Sequence, residues 1–158
     1  MRLPVLQYPN PILNTRAEVI KNPSLPEIQT LIKDMFETMQ AEGGIGLAAN
    51  QVGQLQRVVV VNIVRQDNTF KTAMINPIIY KTEGERIGAE GCLSFKGKTE
   101  VCMVKRAQKI WVTYMDENLT LQNKELDGMA AICVQHEIDH LNGITLNESR
   151  IKADEKKV

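Results

Sequence analysis

The sequence predicts an α+β fold of mostly antiparallel sheets packed around a C-terminal metal-binding helix, with one further N-terminal helix. Three observations point there. An apolar stripe of helical period occupies residues 25–39, short alternating or β-branched segments fill 57–126, and a second helix-like run follows residue 127. Helix, then many strands, then helix is a segregated order, unlike the alternation that builds a parallel sheet. A chain of 158 residues suits one domain with one sizeable core. It has no internal repeat, no low-complexity segment and no dividing linker. Residues 1–158 are therefore expected to form a single domain, with the charged stretch 147–158 as a flexible tail.

The first 23 residues carry Pro9, Pro11 and Pro23 among short apolar pieces, which predicts an irregular arm wrapped on the body. Ser24 and Glu27 stand as a capping box for the first helix. Leu25, Ile28, Leu31, Ile32, Met35, Phe36 and Met39 form its apolar face, and Gly43-Gly44 end it. The glycine-rich run Gly44–Gly53 lacks the lysine of a phosphate loop and the glycine spacing of a dinucleotide site. Its glycines suit close backbone approach to a ligand and, equally, a tight core crossing.

Val58-Val59-Val60-Val61 within 57–64 reads as a strand buried on both faces. Residues 72–80 form the next strand, with Pro77 marking a bulge or edge. Residues 83–88 read as a polar strand or turn, 100–103 as a short strand, and 109–115 as an alternating strand whose hairpin partner is 119–126. Asp127 is placed to cap the last helix and Asn142-Gly143 to stop it.

Composition excludes several function classes. Lys+Arg and Asp+Glu are 19 each, so net charge gives no case for nucleic acid or an anionic membrane surface. No apolar run reaches the length of a membrane span, and the N-terminus lacks a secretory signal. Cys92, Cys102 and Cys133 are too sparse for a disulfide framework, which predicts a reducing, cytoplasmic setting.

The chemistry centres on Gln135-His136-Glu137-Ile138-Asp139-His140, an H-E-x-x-H pattern holding the only two histidines of the chain. Four residues apart on a helix, His136 and His140 can offer two imidazoles to one ion, and Glu137 can serve a bound water as base and then acid. An ordinary helix with two histidines is the competing reading. A catalytic ion needs a third protein ligand. Downstream, only Glu148, Asp154 and Glu155 are available; upstream stands Cys92, whose thiolate suits a borderline divalent ion. Cys102 and Cys133 fit core packing better.

With these residues in view, the sequence resembles the peptide deformylases. Gly44-Ile45-Gly46-Leu47-Ala48-Ala49-Asn50-Gln51 resembles the family motif G-φ-G-φ-A-A-x-Q. Glu90-Gly91-Cys92-Leu93-Ser94 resembles E-G-C-φ-S, and the histidine run resembles Q-H-E-φ-D-H. Tyr8–Leu13 fits the family's usual opening. The likeness covers residues from about 5 to 147, with the motifs in the family's order.

The resemblance implies a metallo-hydrolase that removes the N-formyl group from the initiator methionine of nascent polypeptides and releases formate. Cys92, His136 and His140 would hold one divalent ion, Fe2+ in the native enzyme, with Zn2+, Ni2+ or Co2+ fitting the same site. Glu137 would be the acid–base group, and the Gln51 carboxamide and the Leu93 backbone N–H would donate to the developing oxyanion. Gly46 would bind substrate backbone; Ile45, Met129, Ile132 and Cys133 would line the methionine pocket. Asp139 resembles a supporting acid rather than a catalyst. The implied protein is a cytoplasmic monomer, in a bacterium or in a host cell if phage-encoded, working near the ribosome exit region.

Two departures stand out. Phe95-Lys96-Gly97-Lys98 replaces the family's usual apolar-proline segment, with no arginine before Arg106, which puts Lys96 or Lys98 forward for peptide contacts. Little chain follows the motif helix, as in the minimal, phage-encoded forms. The same shortage disfavours a zinc endopeptidase, whose acid ligand needs a second helix. A purely structural metal site would need neither Glu137 nor Gln51.

Overall fold

The apolar stripe folds as helix α1 (Pro26–Ala41) in the computed structural model, which describes residues 1–96 and 102–151. Ile28, Leu31, Ile32, Met35 and Met39 are its buried face. Its start differs from expectation. Leu25 is the N-cap residue, Pro26 opens the helix, and no side chain caps it. Proline has no N–H to leave unpaired and its φ suits the first helical position, so the helix begins one step past the reach of Ser24. The Ser24 hydroxyl donates instead to Asn22 Oδ1 at 2.7 Å. Gly43, at φ +71°, turns the chain away after the helix.

The strands are β1 (Gly46–Ala48), β2 (Val58–Val64), β3 (Thr69–Glu83), β4 (Arg86–Glu90), β5 (Cys102–Arg106), β6 (Lys109–Met115) and β7 (Leu121–Asp127). Five of them form an antiparallel sheet in the order β1-β2-β3-β6-β7, and β4 pairs with β5 in a separate hairpin. β3 is longer than its apolar run. The pairing with β6 shifts between Ile75 and Ile78, so Pro77 sits in a bulge, as a residue without an N–H should. The strand expected at 100–103 overlaps β5, which extends to Arg106; residues 100 and 101 lie outside the described residues.

Helix α2 (Gly128–Leu141) crosses one face of the sheet and α1 the other. Two apolar clusters result. Val59, Val61, Ile110, Val112, Leu126 and Val134 belong to the α2 side. Val58, Val60, Ile32, Met35 and Leu47 belong to the α1 side. The four consecutive valines of β2 are each 0% exposed, because alternation sends them in turn to the two clusters. Asp127 is the N-cap residue of α2, without a side-chain hydrogen bond, and Gly143 at φ +75° follows its end.

The N-terminal arm is irregular apart from a 3-10 turn at Pro11–Asn14, and it ties the layers together. Leu6 N–H donates to Gln51 O at 2.7 Å and Ala17 N–H to Leu141 O at 2.8 Å. The tail departs from expectation at its start. Leu146–Ser149 form a short helix α3, Arg150 bridges to Val104 of β5, and Ile151 is 5% exposed. Leu146 and Ile151 are apolar anchors too widely spaced to read as a stripe. Residues 152–158 lie outside the described residues. No described helix is long and apolar enough to cross a membrane.

Candidate active site

Helical spacing puts His136 and His140 on one side of α2, and the turn after β4 carries Cys92 toward them. One ligand atom from each of Cys92, His136 and His140 lies within 4.8 Å of the others. Cys92 Sγ is 3.3 Å from His140 Nε2. A thiolate with two imidazoles fits a borderline divalent ion and leaves a coordination position for water or substrate. Among the described residues no carboxylate joins this group, Glu148 included, while Asp154 and Glu155 lie outside the described residues.

The histidines are held differently. His136 Nδ1 meets Glu90 Oε1 at 2.9 Å, which leaves Nε2 for an ion. Arg106 clamps the same carboxylate, with Nε donating to Oε2 at 3.0 Å and Nη2 to Oε1 at 2.9 Å, and its Nη1 donates to Asp139. This buried chain from Asp139 through Arg106 and Glu90 to His136 was only partly visible in the sequence. Asp139 was expected as a supporting acid; Arg106 had no role. Its partners depend on the β4–β5 register, which places Arg106 opposite Arg86.

Burial would raise the Glu90 carboxyl, but hydrogen bonds with His136 and Arg106 outweigh it and hold the group down at about 2. Burial likewise lowers His136, yet Cys92 and Glu90 beside it lift it to about 10. His140 is held well below its ordinary value by burial and by repulsion from His136. Its buried Nδ1 has no hydrogen-bond partner among the described residues.

Glu137 follows His136 and turns the other way, against β1. It is 3% exposed, and its Oε1 has no hydrogen-bond partner among the described residues. Burial pushes its carboxyl up to about 7, against the attraction of His136 and Arg106. Space for it comes from Gly46, where a Cβ would lie 2.6 Å from Glu137 Oε2 and 2.7 Å from Cys133 Sγ. The glycine-rich run is thus both a core crossing and a wall of the site.

Gln51 sits in the 3-10 turn Ala49–Val52 after β1 and is 1% exposed. Its Oε1 accepts from Ala48 N–H at 2.9 Å, which turns its NH2 toward Ser94 Oγ at 3.1 Å and Cys92 Sγ at 3.5 Å. Ser94 therefore orients this amide, a role carried only by the E-G-C-φ-S pattern. Leu93 opens the next 3-10 turn, and its side chain packs on Gly44.

These groups open onto a cavity of about 430 Å³. Its lining includes Ile45, Gly46, Met129, Ile132 and Cys133, all expected, and also Arg86 and Gly88, which sequence reasoning passed over. Lys96, put forward for peptide contacts, instead pairs with Glu42, as does Arg2. Lys98 lies outside the described residues.

The family model described as polypeptide deformylase matches residues 2–156. The peptide deformylase of Neisseria meningitidis is 42% identical over 162 residues, covering 98% of this chain and 95% of the relative. Among solved structures, the peptide deformylase of Ehrlichia chaffeensis superposes with a TM-score of 0.89 at 32% identity, covering 99% of this chain and 92% of that one. A probable peptide deformylase from Synechococcus phage S-SSM7 gives 0.84 at 36% identity, covering 93% and 99%.

Proposed function

The chain belongs to the polypeptide deformylase family, enzymes that remove the N-formyl group from nascent peptides, and from that premise we propose how its residues divide the work. Cys92, His136 and His140 would hold one divalent ion, which we take to be ferrous iron in the cell. Bound there, such an ion supplies a water of lowered pKa and Lewis-acid polarisation of the formyl oxygen. Glu137 takes the water's proton and returns it to the amide nitrogen as the C–N bond breaks, leaving formate and a free amino terminus. A carboxyl lifted to about 7 by burial suits both transfers near neutral pH.

The Gln51 NH2 and the Leu93 backbone N–H donate to the formyl oxygen as it gains charge; one such donor is typically worth about 3 kcal/mol of barrier. Gly46 offers backbone hydrogen bonds to the peptide, and Ile45, Met129, Ile132 and Cys133 surround the methionine side chain. The single observation that carries this reading is the clustering of Cys92, His136 and His140, of which Cys92 and His136 line one cavity together with Glu137. The enzyme works as a monomer of one catalytic domain, in the cytoplasm, on chains emerging near the ribosome exit region.

The test is formate release from a formyl-methionyl peptide by anaerobically prepared protein, with metal content measured on the same sample. Stoichiometric iron and rapid formate release are expected. Cleavage of internal peptide bonds without formate release would overturn the reading.

A further inference from the structure

We propose that Arg86, laid over Gly88, forms the polar end wall of the pocket for the first side chain, and that the enzyme accepts formyl-methionine sulfoxide peptides as well as formyl-methionine ones. The proposal rests on the deformylase reading of the site. Residues 86, 88 and 90 share one face of β4. Glu90, at one end of this row, orients His136. Gly88 stands two residues away, about 6.6 Å along the strand. It has no side chain, and the Arg86 guanidinium lies beside it: a Cβ at Gly88 would be in ordinary contact with the guanidinium, 3.6 Å from Arg86 Nε and 3.7 Å from Nη2, and a larger side chain would press on it. Both residues line the cavity with Met129 and Ile132. Met129 and Ile132 are among the residues proposed above to surround the methionine side chain.

Arg86 has no evident structural duty. Its cross-strand partner is Arg106, and like charges placed opposite each other disfavour the hairpin. Glu90 and Asp139 pair with Arg106, whereas Arg86 makes no ion pair among the described residues. Its donors therefore border an apolar cavity without a protein acceptor. The methionine thioether is a weak acceptor, but a sulfoxide oxygen is a strong one, and a guanidinium has five N–H donors to meet it. A wholly apolar pocket would strip the sulfoxide of water and return nothing. The reaction is unchanged: water adds to the formyl carbon, the C–N bond breaks, formate leaves, and the sulfoxide is neither oxidised nor reduced.

The competing reading is a solvated strand arginine, since Arg86 is exposed and also borders a cleft lined by Glu83 and Asp127. Measurement of kcat/KM for formyl-Met-Ala-Ser and its sulfoxide counterpart, with metal-loaded wild type, Arg86→Leu and Gly88→Val, decides between them. Wild type is expected to process the sulfoxide within about tenfold of methionine. Arg86→Leu should lower the sulfoxide-to-methionine ratio by about tenfold or more, as should Gly88→Val, which displaces the guanidinium. The ratio is insensitive to partial loss of fold or metal. An unchanged ratio in Arg86→Leu, or a larger wild-type deficit on the sulfoxide, overturns the proposal while leaving deformylation intact. Release of formate from neither peptide overturns both readings.

Discussion

A single added carbon on Gly46 would lie 2.6 Å from Oε2 of Glu137, well inside van der Waals contact. Gly46→Ala is therefore expected to push the Glu137 carboxylate out of line without touching a metal ligand. A misplacement of that kind costs on the order of 100-fold in rate. Steady-state kinetics beside metal analysis should show kcat falling while metal content holds. Full activity would mean that Glu137 has room to spare.

Glu137→Gln keeps the shape of the side chain and removes the proton acceptor. Metal content should be unchanged and turnover should fall by at least about 100-fold, the usual scale of positioned acid–base catalysis. A variant with wild-type turnover would end the acid–base assignment.

The Glu90 carboxylate fixes the tautomer and orientation of His136. Outer partners of this kind typically contribute about 10- to 100-fold to metal affinity. Glu90→Gln should weaken binding on that scale in a chelator competition titration. Affinity should also fall as pH drops, because His136, lifted to about 10, must give up a proton to bind. Equal affinity at pH 6 and pH 8 would contradict this.

Stability of the metal-stripped protein should carry two opposite pH signatures. The folded Glu90 value of about 2 lies below the ordinary 4.5, so the folded state favours the carboxylate. That contribution, on the order of 3 kcal/mol, is complete above pH 4.5 and lost as pH falls toward 2. The folded Glu137 value of about 7 lies above 4.5, so the folded state favours the acid. Its contribution is complete below pH 4.5 and is lost as pH rises through 7. Denaturant titrations of wild type, Glu90→Gln and Glu137→Gln across this range should separate the two slopes.

The grouping of Cys92, His136 and His140 was legible from motif spacing and motif order. Four-residue spacing alone puts His136 and His140 together, and the order of the three motifs brings in Cys92 and Gln51. The fold class was legible for a similar reason: the α1 stripe and the β2 valines each announce which faces they bury. What escaped was whatever depends on register between strands. Arg106 reaches Glu90 and Asp139 only because β4 and β5 pair as they do. The start of α1 escaped for a smaller reason. Ser24 and Pro26 both signal a helix start, and the proline, which constrains the backbone itself, decided the position.

β1 is three residues long, and each residue answers to a different neighbour. Gly46 faces Glu137, Leu47 packs in the cluster under α1, and Ala48 packs in the cluster under α2. Catalytic geometry and interior volume are thus recorded on the same short piece of backbone. Side-chain size beneath α1, remote from any metal-ligand candidate, therefore bears on the backbone that gives Glu137 its room.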